Sequence, residues 1–194
     1  MSGYSAAVER PSKPAAWWGM VMLVASEATL FGAFIGTYFY LRFRAPQWPP
    51  AGIPEPRVIV PLILVGVLLL GSIPMHFASQ AAQAGRVEAT RLFVFAALLL
   101  QAGYFAWAVH DFSDQLKTFD ISRDAYSSIS YVLLGATHAH VALGILFDLW
   151  LLWKLMRGLT RYRVHATQGI AFYWHAVNLI TLIVTLVLLS AAIG

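Results

Sequence analysis

Ionisable side chains inside long apolar stretches are the residues of this chain that could do chemistry. Glu27 is the clearest case, because it lies about 12 residues into the first such stretch, roughly 18 Å from its start and near the middle of a bilayer. A bare carboxylate at that depth is costly, so we expect Glu27 to be protonated or hydrogen-bonded. A structural hydrogen bond between helices, a role with lipid headgroups and a proton-related role all remain open for this residue.

The histidines raise the question of a haem or metal site. They are His76, His110, His138, His140, His165 and His175. His138 and His140 lie two residues apart, so about 200° separates them around a helix and they cannot both face one metal ion. The sequence contains no His-x-x-x-His pair, no Glu-x-x-His pair and no cysteine. We therefore expect no metal, haem or copper bound by this chain alone, whereas ligation shared with another chain stays open.

A second acidic residue, Asp148, lies near the end of the fourth apolar stretch. Lys154 and Arg157 follow it closely. We expect Asp148 at the membrane interface, where it reaches water or pairs with these bases. Aromatic residues near the ends of the apolar stretches are typical of interfacial anchors. They are Trp17, Trp18, Tyr40, Trp48, Trp150 and Trp153.

Composition indicates which elements must position these residues. Of the 194 residues, 59% are hydrophobic and 11% are charged, against roughly 25% charged in a soluble domain. This excludes a soluble enzyme and a disordered regulator. Five stretches are long enough to cross a bilayer as helices. They are residues 15–43, 58–82, 90–110, 126–153 and 168–193. The sequence thus predicts an all-α polytopic bundle of five transmembrane helices over residues 15–194, after a polar tail, residues 1–14.

The distribution of basic residues predicts the orientation. With the N-terminus in the cytoplasm, inner segments hold eight Lys and Arg residues and outer segments hold five of the 13. We therefore expect the C-terminus outside. The net charge of +4 is scattered between apolar runs, so we expect no nucleic-acid partner.

Two prolines and two sets of small residues predict local geometry. Pro61 fits the first turn of the second helix, whereas Pro74 should kink it. Small residues let helices approach closely, within the chain or against a partner subunit. They are Ala28, Gly32 and Gly36 on the first helix and Gly135, Ala139, Ala142 and Gly144 on the fourth.

Four blocks of residues together resemble the cytochrome c oxidase subunit III family, in its short five-helix form. The blocks are Ser26-Glu27 with Leu30-Phe31, Phe34 and Tyr38; Leu100-Gln101-Ala102; Tyr126 to Gly144 with Ser128, Gly135 and His140-Val141; and Tyr173-Trp174-His175 with Val177. They occur in the family's order, each on the expected helix, and the resemblance runs from about Trp17 to the C-terminus.

The chain departs from the family pattern at several polar positions. The family's first histidine of the third block falls on Thr137, and its glycine falls on His138. Two acidic family positions fall on Tyr104 and Asn178, so Glu27 remains the one deeply buried acid that the pattern predicts. These departures leave the electron donor open, because quinol oxidase and nitric oxide reductase complexes contain related five-helix subunits.

The resemblance implies a subunit with no redox centre of its own. Such a subunit packs against subunit I, which carries the haems and copper, binds phospholipid, and supports proton uptake and stability during turnover. We expect the polar or lipid-related residues to be Glu27, Thr137, His138, His140, His175 and Asn178. Glu27 should bond to a stripe of the fourth helix, with His140 the favoured partner and His138 the alternative. A stand-alone transporter remains a competing hypothesis.

Overall fold

Helices make up most of the part of the chain that the structure describes. The computed structural model describes residues 14–53, 57–118 and 120–192. The helices there are α1 (Ala15–Arg44), α2 (Ile59–Leu70), α3 (Ser72–Gln83), α4 (Val87–Thr118), α5 (Ala125–Leu155) and α6 (Arg161–Leu189), followed by a short 3-10 turn (Ser190–Ala192). This described part of the chain contains no β-strand. All of the predicted polar tail except Pro14 lies outside it.

Five helical segments within the described residues are long and apolar enough to cross a membrane, as predicted. They are Ala15–Arg44, Ile59–Gln83, Val87–Lys117, Ala125–Leu155 and Arg161–Ala192. The chain is a multi-pass membrane protein. The third segment begins and ends beyond its predicted apolar run, and the fifth begins before its predicted start, because polar residues continue the helices. At the start of α6, for example, the Thr160 hydroxyl accepts a hydrogen bond from the backbone N–H of Arg163 at 3.3 Å.

The second segment is interrupted at Gly71, which separates α2 from α3. Pro74 has no N–H to donate to the Leu70 carbonyl four residues earlier, so regular α-helix cannot continue through this turn. The predicted kink is present. Asn178 of α6 supports it, because its Nδ2 donates to the Leu68 carbonyl at 3.2 Å and to Ser72 Oγ at 2.6 Å.

The C-terminal helix α6 is the centre of the bundle, since it contacts α1, α2, α3 and α5. The larger core cluster joins α2 to α6 and surrounds Tyr173 and Trp174, both fully buried. A smaller cluster lies between α1, α5 and α6 and includes Phe31, Tyr38 and Leu133. α1 is peripheral, because Phe31 and Tyr38 are the only buried residues in its 30. The two clusters hold the polar residues described below.

Candidate functional site

Glu27 of α1 and His140 of α5 meet inside the bundle. A hydrogen bond joins Glu27 Oε2 to His140 Nε2, and the two side chains retain only 19% and 15% exposure. The Phe31 ring packs edge-on against the imidazole, with centroids 5.2 Å apart. The predicted contact between these two residues is therefore present.

The protonation of this pair follows from its second hydrogen bond. His140 Nδ1 lies 2.6 Å from the Ala136 carbonyl oxygen, which can only accept, so Nδ1 carries a proton. The bond between Nε2 and Glu27 then needs one further proton, held by the carboxyl or by the imidazole. In either arrangement the pair has no net charge, which suits its depth in a membrane.

Tyr173 and Thr137 complete the surroundings of His140. The Tyr173 hydroxyl donates to the His140 carbonyl at 2.9 Å, which ties α6 to the same turn of α5. The Thr137 hydroxyl donates to the Leu133 carbonyl at 2.8 Å within its own helix. Thr137 also lines a void of about 10 Å³ beside His140, at the lower limit for one water molecule. The site therefore has a polar centre and tightly packed walls.

Asp148 is fully buried rather than interfacial, so the expectation from sequence is wrong. The indole Nε1 of Trp174 donates to Asp148 Oδ2 at 2.9 Å. Gln101 of α4, with its amide nitrogen directed at the same oxygen, donates to it at 2.6 Å. Among the described residues no base forms an ion pair with Asp148; Lys154 instead lies over the rings of Trp150 and Trp153. Asp148 thus joins α4, α5 and α6 through neutral donors.

Gly144 makes this arrangement possible. It lies one turn before Asp148, and a Cβ there would come within 2.5 Å of the Trp174 ring. The missing side chain therefore lets the indole of α6 lie against the α5 backbone. Gly135, by contrast, would place a Cβ with no atom within 4 Å. Of the two predicted packing glycines on α5, Gly144 packs inside this chain.

The other predicted polar residues, His138, His175 and Asn178, lie outside the Glu27–His140 site. His138 faces away from Glu27 and contacts the Phe112 ring at 5.4 Å between centroids. His175 is exposed on α6, its ring 6.4 Å from that of His76 on α3. Asn178 supports the break between α2 and α3. Sequence reasoning did not predict these partners of His175 and Asn178, because they depend on which faces of α3 and α6 meet.

The small residues of α1 face outward. Ala28, Gly32 and Gly36 are exposed, and a Cβ at either glycine would meet no atom within 4 Å. The residues described here contain no group of three His, Asp or Glu side chains that could hold a metal ion. His138 and His140, which point to different sides of α5, do not fit a shared haem or copper ligand set.

Comparison with known proteins identifies the family. The family model described as "Cytochrome c oxidase subunit III" matches residues 4–191. A protein of Thermostichus vulcanus named cytochrome c oxidase subunit 3 is 27% identical over 168 residues, covering 85% of this chain and 82% of that protein. The protein of the same name from Bacillus sp. (strain PS3) is 25% identical over 195 residues, covering 98% of this chain and 91% of that one.

A third relative is longer than this chain. The cytochrome c oxidase subunit 3 of Coturnix japonica is 28% identical over 173 residues, and the match spans 85% of this chain but only 65% of that protein. All three relatives have the same printed name, and the family match covers nearly the whole sequence. The resemblance predicted from the four residue blocks is therefore confirmed, and the chain belongs to the cytochrome c oxidase subunit III family.

Proposed function

We propose that this chain is the non-catalytic subunit III of a respiratory haem–copper cytochrome c oxidase in a bacterial cell membrane. The single observation that carries the proposal is the family match over residues 4–191. The five apolar helices fit an integral subunit. The family resemblance implies that the haems and copper belong to subunit I, so we assign those cofactors there.

Purification from the native membrane tests this assignment. A tag on this chain should recover, in mild detergent, a larger haem-containing subunit with the reduced-minus-oxidised spectrum of a haem–copper oxidase. Assays with reduced cytochrome c, quinol and nitric oxide would then identify the donor and the reduced gas; turnover with quinol only would move the chain to a quinol oxidase. A colourless homo-oligomer would instead support a stand-alone transporter.

The outward face of α1 is our candidate surface for subunit I. Ala28, Gly32 and Gly36 lie on it, and small residues let a partner helix approach closely in a membrane. α1 buries only two of its residues against the rest of the chain, so most of its surface is available to a partner or to phospholipid. We include bound phospholipid in the proposal because the family resemblance implies it.

The Glu27–His140 pair is the part of the chain best suited to a proton-related role. Its single shared proton lies between α1 and α5 at membrane depth. Through it, subunit III would support proton uptake and prolong the turnover lifetime of the oxidase. A purely structural hydrogen bond is the alternative, and the two roles predict different mutant behaviour.

We predict that Glu27→Gln leaves assembly intact but shortens the turnover lifetime, because glutamine preserves a hydrogen bond and cannot exchange a proton. Activity decay during continuous oxygen consumption measures this effect, with bound phospholipid quantified in the same preparation. Glu88→Gln is the matched control, since Glu88 is exposed and pairs only with Arg91 one turn away. If Glu27→Gln changed neither assembly, nor lipid content, nor turnover lifetime, the Glu27–His140 pair would be only a structural contact.

We propose that the N-terminus lies in the cytoplasm and the C-terminus outside, because this orientation puts eight Lys and Arg residues in inner segments and five in outer ones. A protease added to intact spheroplasts should remove a tag from the C-terminus and spare one at the N-terminus. Protection of the C-terminal tag would reverse the orientation without affecting the family assignment.

A further inference from the structure

A cavity separate from the Glu27–His140 pair opens at one end of the bundle. It has a volume of about 290 Å³ and lies between the start of α2, the last turns of α4, the first half of α5 and the end of α6. Its mouth carries Arg57, Asp111, Asp114 and Gln115. From Gln115 to Tyr104, which also lines it, α4 rises about 16 Å. The cavity therefore extends from a charged mouth well into the membrane-spanning region.

Two polar side chains that lack a hydrogen-bond partner among the described residues line the inner part of this cavity. Tyr104 is only 5% exposed, and neither its hydroxyl nor the His138 ring nitrogens hydrogen-bond to any residue that the structure describes. Tyr104 is buried and His138 is partly buried, and a polar group shielded from bulk water without a hydrogen-bond partner is destabilising. Hydrocarbon cannot supply the missing hydrogen bonds, whereas water can.

Polar side chains line the cavity both at its mouth and in its interior. Asp111 accepts a hydrogen bond from Gln115 at 2.7 Å, and His138 lines the same cavity deeper in. Arg57 and Asp114 both lie at the mouth. Tyr104 and His138 are both positions at which this sequence departs from the family pattern. The two departures thus face a single space.

We propose that this cavity is a hydrated inlet, which admits water and small hydrophilic solutes from the aqueous face at its mouth as far as Tyr104 and His138. Its volume is many times that of the void beside His140, which is at the lower limit for one water molecule, so the cavity has room for several waters. The inlet is distinct from the Glu27 site, because His138 and His140 lie on different sides of α5.

Cysteine accessibility tests the inlet directly, because the natural chain contains no cysteine. Ala108 lines the cavity and is 4% exposed, whereas Ala106, about 3 Å away along the same helix, faces outward. Ala108→Cys should react with a small charged methanethiosulfonate in native membranes at least about tenfold faster than Ala106→Cys, because the reactive thiolate forms in water and not in lipid. Both vesicle orientations are assayed, so the result does not depend on topology.

A second pair of cysteine variants is a control in case the first pair misfolds. Thr185 lines the same cavity from α6, and Ile183 is exposed on that helix. Thr185→Cys should likewise react faster than Ile183→Cys. Equal rates within both pairs would overturn the inlet. Reaction of the cavity cysteines with a neutral lipophilic maleimide but not with the charged reagent would also overturn it, and would indicate an apolar occupant.

Discussion

The carboxyl groups of Glu27 and Asp148 have different hydrogen-bond partners inside the bundle. Each lies in a membrane-spanning helix, where an isolated carboxylate is costly. Glu27 shares a proton with His140, whereas Asp148 accepts hydrogen bonds from the indole of Trp174 and the amide of Gln101. The Glu27 carboxyl is bonded to an imidazole, which can itself gain or lose a proton, whereas the indole and amide that donate to Asp148 Oδ2 do not titrate, and Asp148 Oδ1 is buried with no hydrogen-bond partner among the described residues. This difference is why we assign the functional role to Glu27.

We predict that Asp148→Leu destabilises the chain by about 1–3 kcal/mol for each donor left without an acceptor, Trp174 Nε1 and the Gln101 amide. Asp148→Asn should cost under about 1 kcal/mol, because its amide oxygen still accepts. The unfolding temperature of the purified complex measures both. Lys154→Ala is the control. If it destabilised the complex as much as Asp148→Leu, the ion-pair interpretation would be right after all.

Sequence could predict the depth of these residues but not the direction they face. Depth follows from counting residues along an apolar run: Glu27 lies about 12 residues into residues 15–43, and His140 about 14 residues into residues 126–153, so both lie near mid-membrane. Asp148 was assigned to the interface because Lys154 and Arg157 follow it, yet it faces Trp174. The sequence feature that points to this orientation of Asp148 is Gly144. It lies one turn earlier on the same face of the helix, and its lack of a side chain leaves room for a large ring. The cavity beside His138 could not be predicted, since it depends on four helix ends packing together.

At the scale of elements, close packing of α5 against α6 depends on one missing side chain. The Trp174 ring occupies the space where a Cβ of residue 144 would lie, at 2.5 Å. The ring cannot retreat without losing its hydrogen bond to Asp148. Glycine at this position therefore serves packing rather than backbone freedom.

We expect Gly144→Ala to destabilise the protein by about 1–3 kcal/mol, through overpacking against Trp174. Gly135→Ala is the matched control on the same helix, because a Cβ there meets no atom within 4 Å. Alanine's higher helix propensity should make that change neutral or stabilising by up to about 1 kcal/mol. Thermal unfolding of the two variants in one detergent compares them, and equal losses would contradict this account of Gly144.

The helices differ in how many other helices they contact. α6 contacts four other helices, whereas α1 contacts only α5 and α6. The exposed side of α1 carries the small residues Ala28, Gly32 and Gly36, while its opposite side holds Glu27 against His140. A partner that packs on α1 would therefore lie one helix thickness from the shared proton. This arrangement would let contact with subunit I influence the pair without a direct bond.

Gly32→Leu should accordingly weaken assembly while leaving the chain folded, because the new side chain meets no atom of its own bundle and only obstructs a partner. We expect at least about a tenfold fall in haem recovered per tagged chain, equivalent to about 1.4 kcal/mol of association free energy. Gly103→Leu introduces the same side chain at an exposed α4 position with no atom within 4 Å, and should leave haem recovery unchanged. Equal recovery from both variants would place subunit I on another face, and equal losses would show that any added bulk disrupts assembly.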